Sequence, residues 1–121
     1  MPDHEVQGSL VGGLVEIRTT FGTRDAALAL STRLVEAGLA ACVQVDGPMT
    51  STYRWQGAVE RADEWRCVCK TTEAASDACV TAILAGHPYE TPEIVVIPAV
   101  ASPAYAAWVA ETVRPGLTEG L

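Results

Sequence analysis

The chain has 121 residues, room for one hydrophobic core and not two. Its net charge is −7 and its single lysine is Lys70, so DNA, RNA and anionic membrane surfaces are poor partners. Hydrophobic residues make up 49% and charged residues only 19%, below the roughly 25% charged of an average domain, and in a small domain that surplus apolar area implies a subunit interface.

Residues 1–13 read as a flexible N-terminal extension, 14–114 as the folded domain and 115–121 as a C-terminal tail. Met1–Gly8 carries Asp3 and Glu5 and lacks the apolar stretch of a signal peptide. No run approaches the roughly 20 apolar residues of a membrane span. Cys42, Cys67, Cys69 and Cys79 are therefore read as reduced thiols of a cytoplasmic protein.

Leu14 to Thr20 alternates, with Val15, Ile17 and Thr19 on one side and Glu16, Arg18 and Thr20 on the other, which predicts a strand. Thr23 caps a helix over 26–37, whose inward stripe is Ala27, Leu30, Leu34 and Val35, and Gly38 sits at the left-handed C-cap position. Residues 40–45 form a second strand, interrupted at Asp46-Gly47-Pro48. Proline removes a backbone donor there, so a bulge or kink is expected and the extended pattern resumes over 49–55. Gln56-Gly57 turns the chain into a third strand that returns through Cys69. A hairpin this long projects beyond the domain, where an unpaired ribbon invites aggregation unless a partner covers it.

Thr72 caps a second helix over 73–85, with Val80, Ile83 and Leu84 inward, and Gly86 and Pro88 stop it. Residues 93–100 are apolar on both faces and read as a central, fully covered strand. Ser102-Pro103 starts a last helix whose inward face is Tyr105, Trp108, Val109 and Thr112. The order β-α-β-β-α-β plus a C-terminal helix is the ferredoxin-like split βαβ of the α+β class, an antiparallel sheet with two helices on one face.

LVEAGLAACVQV (34–45), STYRWQG (51–57), KTT (70–72) and HPYETPE (87–93) resemble, in order and spacing, the CutA divalent-cation tolerance family over about 14–113. The resemblance implies a homotrimer whose hairpins pair across subunits, with no obligatory cofactor and with binding of copper or another divalent metal ion without catalysis. It implies as ligands Cys42 in the AAC motif and His87 in the HPYE motif. Some bacterial members carry a further cysteine at the end of the first strand, where this chain has Thr19 and Thr20.

The residues themselves leave alternatives open. Thiolate with imidazole suits copper or zinc, yet a histidine after a helix end is commonly bonded to backbone, and a strand cysteine commonly packs as a small hydrophobe. Cys67 and Cys69 share a strand face with sulfurs nearly 7 Å apart, which favours core packing over chelation. If Trp55 pairs with Ala58, Gln44 faces Cys69, unless the Gly47-Pro48 break shifts the register and brings Cys42 toward Cys69. Tyr53, Trp55 and Tyr89 with Lys70 either line an inter-subunit pocket for a small anion or fill an interface, and Tyr89 and Glu90 are expected to point toward a neighbouring subunit. Glu90 and Glu93 flank Thr91-Pro92, and a hydrolytic pairing of Glu90 with His87 is a further reading. No nucleophile elbow, P-loop or dinucleotide fingerprint supports an enzyme.

Overall fold

The computed structural model describes residues 10–115. The parts of the expected extension and tail at 1–9 and 116–121 lie outside the described residues. The elements are β1 (Val11–Phe21), α1 (Arg24–Glu36), β2 (Cys42–Trp55), β3 (Ala58–Thr72), α2 (Glu73–Gly86), β4 (Val95–Ala101) and α3 (Pro103–Thr112). The strands form one sheet in the order β2-β3-β1-β4, every neighbouring pair antiparallel. This is the predicted split βαβ arrangement.

Period-two alternation aims Val15, Ile17, Thr19 and Phe21 of β1 into the main core, where all four are buried. β1 begins earlier than predicted, because Val11 pairs with Ala101 across a register irregularity beside Gly13. The Thr23 hydroxyl accepts from the Ala26 amide at 3.1 Å and the Thr72 hydroxyl from the Ala75 amide at 3.2 Å, so both helix starts are capped as expected. Ala27, Leu30 and Leu34 of α1 and Cys79 and Ile83 of α2 close the core over the sheet.

Each helix buries a narrower stripe than its sequence suggests. Val35, Leu84 and Trp108, all expected inward, are exposed, while Ala106 and Val109 carry the inward face of α3. A helix lying on a flat sheet buries a line of residues at i, i+3/i+4 and i+7/i+8, and residues one step off that line face outward. Leu14 has the opposite parity to Val15 and Ile17, and it packs in a second cluster with Ala41, Ala75, Ala106, Val109 and Val113. α3 therefore covers one end of the sheet face that α1 and α2 leave open. The Arg114 amide donates to the Gly38 carbonyl at 2.9 Å, and a Cβ on Gly38, whose φ is +72°, would meet the Arg114 carbonyl oxygen at 2.5 Å. The fold needs glycine there for both reasons.

β4 departs most from expectation. It is an edge strand, not a central one, and Val95, Val96 and Val100 are exposed. An apolar run reports that its faces need cover, and among the described residues β1 and α3 supply most of it.

The bulge at Gly47-Pro48 is present, and β2 continues through it. From Trp55↔Ala58 to Met49↔Glu64 the pairing is regular; beyond the bulge Asp46 faces Arg66, a shift of one residue. Val43 is therefore opposite Cys69 and Cys42 opposite Lys70, so Cys42 stands on the face away from the core and does not approach Cys69. A Cβ on Gly47 (φ +151°) would lie 2.7 Å from Trp65 Cδ1 and 2.8 Å from the Glu64 carbonyl oxygen. At the tip Gln56 and Gly57 both have positive φ, the two-residue turn whose twist suits a hairpin. Every residue from Thr52 to Arg61 is exposed.

Candidate functional site

The corner after α2 is built on His87. Its ring stacks on Phe21 with centroids 4.3 Å apart and planes 14° off parallel. Nδ1 accepts from the Tyr89 amide at 3.1 Å, and Nε2 lies 2.8 Å from the Thr20 carbonyl oxygen. An amide can only donate and a carbonyl can only accept, so the ring carries its proton on Nε2. The one lone pair a metal would use is thus engaged by backbone. Tyr89 donates its hydroxyl proton to Glu64 Oε2 at 3.2 Å, and burial, with the charge of Glu64, pushes this phenol above its ordinary range. Glu90 is exposed and shares no hydrogen bond with His87 among the described residues.

A second group lies on the open sheet face. Cys42, half-buried, is opposite Lys70, and Lys70 is opposite Glu16. Lys70 Nζ stands 3.9 Å from Glu16 Oε2 and 5.8 Å from the centre of the Tyr105 ring, while the other Glu16 oxygen accepts from Arg18 at 3.0 Å. Two cations thus flank one carboxylate beside a thiol. The sequence reading missed Glu16 and Arg18 as members of this group. Their alternation on β1 was visible, but the register that sets Glu16 against Lys70 was not.

These groups do not meet within one chain. Thr20, which holds His87, lies four residues along β1 from Glu16, about 14 Å at 3.4 Å per residue, and Cys42 is two strands away from β1. Cys42 and His87 therefore do not share a metal site in the protomer. Tyr53 and Trp55 are exposed near the hairpin tip, opposite Glu60 and Ala58, and Glu60 is ten residues of β3 from Lys70, about 34 Å. Lys70 and the tip aromatics form no common pocket in one chain.

Cys67 and Cys69 are fully buried, as predicted, and so is Cys79, for which no placement was predicted. The Cys67 thiol points at the Ala27 carbonyl at 3.6 Å. Burial pushes Cys79 up to about 11 and raises Cys67 and Cys69 as well, so all three stay protonated near neutrality and are poor metal ligands. Among the described residues no group of three or more His, Cys, Asp and Glu is placed to hold a metal ion. Nor is any helix among them long and apolar enough to cross a membrane.

Residues 15–112 match the family described as CutA1 divalent ion tolerance protein. The divalent-cation tolerance protein CutA of Thermus thermophilus is 39% identical over 93 residues, which span 76% of this chain and 90% of that one. Among solved structures, CutA from Xylella fastidiosa superposes with a TM-score of 0.82 at 33% identity, covering 84% of this chain and 99% of the other. The periplasmic divalent cation tolerance protein CutA from Archaeoglobus fulgidus superposes with a TM-score of 0.80 at 31% identity, covering 84% and 99%.

Proposed function

We propose that this chain, which belongs to the CutA1 divalent ion tolerance family, works as a homotrimer that binds copper or another divalent ion without catalytic turnover. The observation that carries the assembly is the hairpin. Its outer part, Thr52 to Arg61, is exposed throughout and displays Tyr53, Trp55 and Val59. A two-stranded ribbon alone in water is marginal, and aromatic side chains of this kind are the usual anchors of interface cores. The exposed β4 edge adds a second surface in need of cover.

For the ion, Cys42 is the soft ligand of choice, because it alone of the four thiols is not fully buried. A second ligand comes from a neighbouring copy, since no chelating cluster is formed by the described residues of one chain. His87 serves in that role only after releasing the Tyr89 amide. An anion-binding cleft built on Lys70 has less support, because Glu16 already faces its ammonium group. The cytoplasm is part of the same proposal, and cell fractionation tests it against the periplasmic naming of the Archaeoglobus relative.

Light scattering should give three times the 12.7 kDa of one chain. Titration with Cu(I), Cu(II) and Zn(II) under reducing conditions should then show tight binding that Cys42→Ser weakens more than His87→Ala does. A monomeric mass, or metal affinity indifferent to Cys42→Ser, removes the corresponding half of the proposal.

A further inference from the structure

The groove between α1 and α2 is not used by anything described above. Two adjoining cavities of about 290 and 380 Å³ open there, both walled by Arg33 and Gly86. The remaining lining is apolar: Leu30, Leu34, Leu39 and Ala82 on one side, Phe21 and Pro88 on the other. These volumes sit near the lower end of small-molecule sites, which are mostly apolar with a few placed polar groups.

Arg33 supplies the polar group. Its guanidinium lies directly over Gly86, where an added Cβ would fall 2.6 Å from one terminal nitrogen and 3.2 Å from the central carbon. The absence of a side chain at Gly86 is what lets the planar group settle at the mouth of an apolar trough. Among the described residues no carboxylate pairs with it. Part of its placement follows from the partial negative charge at the C-terminus of α2. That attraction leaves the fork of N–H donors free to take a carboxylate in two parallel hydrogen bonds.

We infer that this groove binds a small amphipathic carboxylate, its head on Arg33 and its aliphatic chain over the accessible surface of Ala37, Leu39 and Ala82. Arg33 walls both cavities, so a chain that starts from it runs along one of them over the apolar lining. Charge selects the class: an alkylammonium of the same length is repelled by the guanidinium, and an alcohol has no charge to pair.

The test is a titration of the full-length protein with octanoate, followed by amide NMR shifts, with octylamine and octan-1-ol as controls. Octanoate should produce saturable shifts in 30–37 and 82–86, octylamine none, and octan-1-ol weaker ones. Arg33→Gln should weaken octanoate at least about tenfold while leaving the response to octan-1-ol unchanged, which also shows that the variant is folded. Ala85→Phe, an exposed wall residue, should fill the groove and abolish both. The inference fails if octanoate gives no saturable shift at these amides up to about 10 mM, or binds Arg33→Gln as well as the parent. It also fails if octanoate still binds after Ala85→Phe.

Discussion

The β2–β3 ribbon has two halves that share one hydrogen-bond ladder and differ in everything else. Below the Gly47-Pro48 bulge, Val43, Val45, Cys67 and Cys69 pack into the core under α1 and α2. Above it, Thr52 to Arg61 are exposed. A backbone hydrogen bond contributes only about 1 kcal/mol net, because it replaces one made to water, whereas each fully buried aliphatic side chain contributes roughly 1.5–3 kcal/mol. The lower half is therefore held by its own chain, and the upper half depends on whatever covers it. The roles proposed above divide in the same way, with the thiol and charge cluster on the lower half and the exposed aromatics proposed for self-association on the upper.

Alkali provides the widest test, because Cys67, Cys69 and Cys79 are sealed in the core that the lower half of the ribbon helps to build. Cys67, Cys69 and Cys79 are all raised by burial, Cys79 from an ordinary 9.0 to about 11. The unfolded thiols ionise first, so the folded state is fully favoured below pH 9 and loses stability as pH rises from 9 toward 11. Cys79 alone should remove about 3 kcal/mol over that span, since each pH unit is worth about 1.4 kcal/mol, with Cys67 and Cys69 acting in the same direction. Urea unfolding at a series of pH values reads the slope. A flat profile to pH 11 means the thiols are not sealed in a core at all.

Next in size is Ile17→Ala. Ile17 has no exposed surface and lies between Cys69 and Val96 in the sheet. Removing it leaves a cavity in packed surroundings and should cost about 2–5 kcal/mol in a denaturant titration. Gly47→Ala, at the boundary between the halves, should cost about 1–3 kcal/mol, because its new methyl meets the Trp65 ring and the rigid Glu64 backbone. Loss below about 0.5 kcal/mol would show that the bulge can open without disturbing the core.

The elements whose signals are local were legible in the sequence. Thr23 and Thr72 announce their helices through single hydroxyls, and Gln56-Gly57 fixes Trp55 against Ala58. What the residues do not disclose is counted across distance. The one-residue shift that puts Cys42 opposite Lys70 depends on how Gly47 seats against Trp65, and no propensity encodes that. The position of β4 was hidden for a related reason, since apolar residues record that cover is needed and not which chain provides it. At the corner, the groups that hold His87 are the Thr20 carbonyl and the Tyr89 amide, and backbone partners leave no trace in residue identity. Glu16 became a site residue only once β1 was laid against β3.

The smallest effect on a single chain is expected at the ribbon's end, and it separates the halves most sharply. Trp55 is exposed and makes its cross-strand pair with Ala58, so in a dilute, monomeric state Trp55→Ala should change stability by no more than about 0.5 kcal/mol. If copies cover one another's ribbons, the same substitution must act through association, because burying the indole against a neighbour is a term only the assembled state contains. The parent should then melt at a temperature that rises with protein concentration over a hundredfold range, and Trp55→Ala should lower that curve most at the concentrated end. Equal losses at every concentration, with a constant mass by light scattering, would place the support of Trp55 inside its own chain and dissolve the distinction between the two halves.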